Sequence, residues 1–149
     1  MTNLRRSLSL TAATLAIAAT LGPTVGRTQD PPFKGEPMRG SWGFSASGTI
    51  LSPAAPAPTP AVAVGLMTFD PQTRDCVIMD TINIGGARLS RTSESCTYSL
   101  TTDGRGSIVA GFPGDPELTP LAFVLVDKER EMRFVRTDLG VAEGVAKLQ

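Results

Sequence analysis

Hydrophobic and polar residues alternate with a period of two along several short stretches of this chain. Between Trp42 and Ile50 the even positions are large or apolar, apart from Gly48, whereas most odd positions are Ser or Thr. Similar alternation recurs over residues 76–84, where Asp80 interrupts the apolar positions, and over residues 94–101. This period is that of a β-strand with one buried face. These stretches therefore predict strands that share a core.

Turn-forming residues separate these stretches from further apolar ones. Residues 70–75 and Gly85-Gly86 are rich in turn formers, and Asp103-Gly104 predicts a two-residue hairpin turn with positive φ angles. Further strands are predicted at residues 61–69, near Leu89, and at 107–112, 121–126, 132–137 and 141–148. Eight or nine short antiparallel strands predict a small all-β up-and-down barrel, with a two-sheet sandwich as the alternative.

The first 26 residues have the pattern of an export signal. Arg5 and Arg6 precede an apolar stretch from Leu8 to Leu21, which is short for a membrane span, and Pro23 follows it. We expect cleavage after Gly26 by the general secretory route; twin-arginine export and an uncleaved anchor are the alternatives. The predicted organisation is a signal peptide at 1–26, an irregular lead-in at 27–39 and a secreted or periplasmic domain at 40–149.

Charge and composition exclude several classes of function. Loss of Arg5 and Arg6 with the leader leaves 12 basic against 14 acidic residues, a net charge of −2, which is a poor balance for binding nucleic acid. Histidine is absent, which removes the commonest general base and nearly every zinc site. We therefore expect no metal, no cofactor and no membrane span in the mature protein. Its oligomeric state stays open.

The chain contains two cysteines, Cys76 and Cys96. In an exported protein such a pair predicts a disulfide rather than a redox or metal centre. Closing a loop of about 20 residues stabilises the fold by roughly 3 kcal/mol in the chain-entropy model. The alternative is a reactive thiol, with Arg74 near Cys76 to lower its pKa.

Residues 51–60 contain four prolines and several alanines, which argues against a regular sheet there. The simplest interpretation is a long surface loop. The alternative is a lid across one end of the domain, because Ala and Leu are unusual on a fully solvated loop.

The strand alternation places one set of residues on the inner face, and these are the candidate ligand-binding residues. A buried carboxylate requires a partner, so we expect Asp80 to pair with Arg136, Tyr98 or backbone groups. It is either a structural pair or a polar anchor in an apolar pocket. The complete set is Trp42, Phe44, Ile78, Asp80, Ile82, Tyr98, Leu100, Phe123, Phe134 and Arg136. The charged residues 128–133 are interpreted as a solvated turn rather than a glycosidase-type pair.

A series of short motifs carries a resemblance: Gly40-x-Trp42-x-Phe44, Phe69-Asp70, Asn83-x-Gly85-Gly86, Thr97-Tyr98-x-Leu100-x-x-Asp103-Gly104-x-Gly106, and Phe134-Val135-x-Thr137-Asp138-x-Gly140-x-x-x-Gly144-x-x-x-x-Gln149. This order resembles uncharacterised bacterial secreted proteins with a lipocalin-like or allene-oxide-cyclase-like β-barrel domain. The resemblance implies a barrel and no particular chemistry, because its motifs are turn glycines and strand residues.

Three functions follow as hypotheses. The first is a binding module for a small apolar or amphipathic ligand. The second is a structural or protein-interaction domain with a filled core. The third is a cyclase or isomerase like those hosted by related barrels. Of these hypotheses, we favour the binding module and the interaction domain equally over the enzyme. A cavity of a few hundred cubic ångströms would favour ligand binding, and a core without voids would favour the interaction domain.

Overall fold

The fold consists of nine β-strands in a computed structural model that describes residues 35–51, 57–138 and 140–149. Within these residues, no helix is long and apolar enough to cross a membrane. The predicted signal peptide and most of the predicted lead-in lie outside the described residues. The strands are β1 (Gly40–Ile50), β2 (Thr59–Phe69), β3 (Cys76–Ile84), β4 (Ala87–Thr92), β5 (Ser95–Leu100), β6 (Arg105–Gly111), β7 (Thr119–Val126), β8 (Glu131–Arg136) and β9 (Gly140–Leu148).

All nine strands belong to one antiparallel sheet with the order β4-β3-β2-β1-β9-β8-β7-β6-β5. Each strand pairs with its neighbour in sequence except at two places: β1 pairs with β9, and β4 does not pair with β5. The sheet is curled into a half-barrel. This confirms the all-β up-and-down architecture, and a single sheet excludes the two-sheet sandwich.

The two edge strands of the sheet, β4 and β5, meet beside the first residues of β3. The predicted disulfide is present: it joins Cys76 on β3 to Cys96 on β5, with 4.8 Å between their Cα atoms. An isolated bridge pairs Asp75 with Thr97, and the Ser93 amide donates to the carbonyl of Ile78 at 2.8 Å. β4 lies beside the second half of β3, and β5 lies beside its first residues. The disulfide links β3 to β5 at the point where β5 takes the place of β4.

Two local expectations are wrong. β2 begins at Thr59, although Pro60 was expected to lie in a loop. The strand tolerates Pro60 because it lies beyond the last β2–β3 pair, Ala61 with Ile84, where no ladder donor is required. At the β5–β6 turn only Gly104 has a positive φ, of 80°, and its amide bonds the carbonyl of Thr101. The turn therefore spans four residues. The lid predicted at 51–60 lies mostly outside the described residues.

The up-and-down path gives the half-barrel two distinct ends. The connections after β2, β5 and β7 lie at one end, together with the disulfide, and we call it the packed end. The connections after β1, β3, β6 and β8 lie at the other end. There most inner positions of β1, β2 and β9 carry small residues, namely Ala46, Gly48, Ala61, Ala63 and Ala142, whereas Ile50 is a large exception. We call this the small-residue end.

Between the two ends, three aromatic rings lie against glycines of neighbouring strands. A methyl group at Gly144 would lie 2.2 Å from Cζ of Phe134, and one at Gly106 would lie 2.3 Å from Cζ of Phe123. Gly65 stands in the same relation to Phe44, at 2.8 Å. Each glycine provides the space that its ring fills, so the middle of the half-barrel is solid.

Candidate functional site

All ten predicted site residues lie on the inner face, as the alternation indicated. Eight of them are buried, and Leu100 and Arg136 are half-buried. The sheet does not gather them around one cavity. Trp42 and Tyr98 pack into the core at the packed end, and the rings of Phe44, Phe123 and Phe134 fill the middle of the half-barrel.

At the packed end, the aromatic side chains also tie the chain segments together. Phe69 makes edge contacts with Trp42, at 6.3 Å between ring centroids, and with Tyr98, at 5.2 Å. The Tyr98 hydroxyl lies 3.0 Å from the carbonyl oxygen of Met38 and 3.2 Å from that of Asp70. Burial raises the pKa of Tyr98, and the nearby Arg74 opposes that shift. This ring therefore fastens the lead-in and the β2–β3 turn to the core.

Asp80 is buried as predicted, but its partner is Arg91 on β4. The pair is bidentate, with Arg91 Nη2 2.7 Å from Oδ2 and Nε 3.0 Å from Oδ1 of Asp80. Arg91 Nη1 reaches Asp115 at 3.2 Å, and its guanidinium lies 3.9 Å from the ring centroid of Phe112. Arg91 thus connects β3 to the β6–β7 connection on the side of β4 that pairs with no strand. This arrangement supports a structural role for Asp80.

The expected partner Arg136 is engaged elsewhere. Its Nη2 lies 2.6 Å from Oδ2 of Asp138, and its Nε contacts Oδ1 of the same carboxylate. The Gly140 amide also donates to Oδ1, at 3.2 Å. Hydrogen bonds from Arg136 hold the pKa of Asp138 below its usual range. The pair fixes the guanidinium at the small-residue end.

The small-residue end is incompletely filled. Leu89 is paired with Ile82 and shares its inward orientation, yet Leu89 is 54% exposed whereas Ile82 is 8% exposed. An apolar cleft of about 50 Å³ lies on the inner face nearby. Its lining includes Ala46, Ile50, Ala61, Ala63, Ile82, Arg136 and Ala142.

A larger hollow of about 480 Å³ adjoins this cleft. The two share four lining residues: Ser47, Thr49, Arg136 and Ala142. Arg136 and Asp138 supply polar groups at the rim of the half-barrel, whereas Ser47, Thr49 and Glu143 line the hollow from the outer face. The cleft and the hollow therefore meet at the rim, with Arg136 between them.

Of the ten predicted residues, Ile82 and Arg136 line this site. The predicted set consisted of large apolar, aromatic and charged residues. It therefore missed the small members of the site, Gly48, Ala63, Gly140 and Ala142. The signal that could have found them is the run of Gly and Ala at the inward positions of three strands. At these positions the space that larger inward side chains fill elsewhere in the core stays empty.

The acidic and basic residues of the β7–β8 turn do not form an enclosed site. Glu131 accepts from Arg133 at 2.9 Å and lies 3.4 Å from Nζ of Lys147. Within the described residues, no group of three or more acidic or cysteine side chains is arranged to hold a metal ion. The turn is therefore consistent with a solvated hairpin.

Comparison with protein-family models, with curated proteins and with solved structures found no match for this chain. The resemblance to secreted barrel proteins stays a prediction. The buried disulfide is compatible with an oxidising, extracellular compartment.

Proposed function

We propose that this protein is an exported binding module that holds a small amphipathic molecule at the small-residue end of the half-barrel. One observation carries the proposal: Leu89 occupies an inward position and is still 54% exposed. An inward leucine that meets solvent indicates that the inner face is unfilled at this end. The packed end supplies rigidity.

The size of the site limits the ligand. The inner cleft of about 50 Å³ accommodates only a small apolar group. The adjoining hollow of about 480 Å³ falls in the range of ordinary ligand sites, which is about 300–1,000 Å³. We infer that the apolar part of the ligand enters the cleft while its polar part lies against Arg136 at the rim of the half-barrel.

A ligand that copurifies with the protein is the first test. Native mass spectrometry of the protein from its own host is expected to show a bound small molecule in one-to-one ratio. The same measurement tests export, because the mature chain is expected to lack residues 1–26.

Titration with 8-anilinonaphthalene-1-sulfonate, an anionic apolar fluorophore, tests the location. We expect saturable one-to-one binding that Ala63→Leu weakens at least tenfold, because the added side-chain atoms fill the cleft. The matched control is Ala122→Leu on the outer face of β7, which should leave binding unchanged. If fluorophore binding is unaffected by Ala63→Leu and no ligand copurifies, the proposal is wrong and the interaction-domain hypothesis takes its place.

A further inference from the structure

Charged residues are unevenly distributed over the outer face of the sheet. Strands β1, β2 and β3 together contain one charged residue, Asp80, and its side chain points inward. The outer faces of the other described strands carry six charged side chains: Arg88, Arg105, Glu131, Arg133, Glu143 and Lys147. Three adjacent strands therefore present an outer surface without a charge.

The centre of this uncharged surface is apolar. On β2, Val62 is 55% exposed, Val64 is 59% exposed and Leu66 is 38% exposed. On β3, Val77 is 43% exposed and Met79 is 44% exposed. The register places Leu66 directly opposite Met79, so these side chains are contiguous. We call these five residues the apolar patch.

We propose that the apolar patch is the contact surface for a second copy of this chain. Depletion of charge around an apolar centre is typical of the core of a protein interface. Because the patch has no charge, two copies can bring their patches together about a two-fold axis without like-charge repulsion. The patch lies on the outer face of β2 and β3, and because Val62 also lines the cleft of the proposed ligand site, the test below changes Val64 instead.

The size of the surface sets the expected affinity. Three strands about 4.8 Å apart, each with about nine residues at about 3.4 Å per residue, give a footprint of about 400 Å². Two copies would bury about 800 Å² in total, which is below the roughly 1,000 Å² that a stable specific interface buries and fits a transient one. We therefore expect a dimer that dissociates on dilution rather than an obligate one.

Sedimentation velocity of the protein recovered from its host tests this interface across a concentration series from about 1 to 500 µM. We expect a monomer–dimer equilibrium in this range. Val64→Lys should raise the dissociation constant at least tenfold, because a lysine would be placed at the centre of the patch on both copies. Its matched control is Val135→Lys on the outer face of β8, where Val135 is 48% exposed and faces Glu143 across the ladder. The control should dimerise as the parent does.

If Val64→Lys impairs folding, Val64→Thr retains the β-branched shape and should weaken association severalfold. A protein that is monomeric throughout the series overturns the proposal. A dimer that neither Val64 variant weakens also overturns it and points to the free edge of β4. Binding to neutral phosphatidylcholine vesicles that requires Val64, without dimerisation, overturns it in favour of a lipid surface.

Discussion

The two ends of the half-barrel are built from the same antiparallel sheet but differ in what their inward positions carry. At the packed end, Trp42 is 2% exposed and its ring makes an edge contact with Phe69. At the small-residue end, the inward Leu89 is 54% exposed. Alternation alone therefore fixes which way a side chain points, whereas the sizes of its neighbours across the strands decide whether it is buried.

The largest expected effect comes from the packed end. Trp42→Ala should lower the free energy of unfolding by about 4 kcal/mol, because it removes a fully enclosed aromatic side chain and leaves a cavity. Urea denaturation with the disulfide intact measures this. A loss below about 1 kcal/mol would contradict the solid packing described for this end.

Asp80 lies between the two ends and should give the next largest effect. Asp80→Asn should cost about 3 kcal/mol, because Arg91 would keep its charge in a mostly buried position without its carboxylate. The matched double variant Asp80→Leu with Arg91→Met should cost less than the sum of its two single substitutions in a double-mutant cycle. Additive costs would show that the two side chains are not coupled. Ligand affinity unchanged by Asp80→Asn would support the structural role.

The ion pair at the small-residue end should contribute less. Asp138→Asn should lower stability by about 1 kcal/mol near neutral pH, where the hydrogen-bonded carboxylate is charged. The pKa of Asp138 is lower in the folded protein, so its contribution is present above the ordinary value of about 3.9 and is lost as pH falls through the folded value. Thermal melts of both proteins from pH 7 to pH 2 should therefore converge at the acid end. A constant difference would contradict this assignment.

Leu89→Ala should give the smallest effect, below about 0.5 kcal/mol, because the side chain already meets solvent. The same substitution should change fluorophore affinity if the unfilled inner face is the binding site. A stability loss comparable to that of Trp42→Ala would remove the difference between the two ends on which the proposed function depends.

Most of the fold could be predicted from the sequence, because the alternation within strands and the turn residues between strands are both local patterns. Period-two alternation predicted the positions of the strands, and turn residues such as Gly85-Gly86 predicted where strands end. An up-and-down barrel also implied the curl of the sheet and the β1–β9 pairing, but the absence of pairing between β4 and β5 and the contacts that replace it were not predicted. These features depend on interactions between distant residues that local patterns do not encode.

The candidate site was less predictable, and Asp80 shows why. Its burial followed from alternation, but Arg91 was missed because the strand after Gly85-Gly86 was poorly defined. The signal was present, because Gly-Gly favours a two-residue hairpin turn, and both glycines do adopt the positive φ of such a turn, at 58° and 100°. Such a turn pairs Ile84 with Ala87, and counting outward from it pairs Asp80 with Arg91. Pairing a hairpin from its turn would have identified this partner.

The pairing of β1 with β9 also determines when the fold can form. Ser45 pairs with Val145, so the ladder in the middle of the sheet joins residues that lie 100 positions apart in the chain. Long-range strand pairing requires closure of a large loop before its contacts form, and such proteins fold in milliseconds to seconds. A chain still being synthesised therefore lacks its central ladder until β9 has emerged.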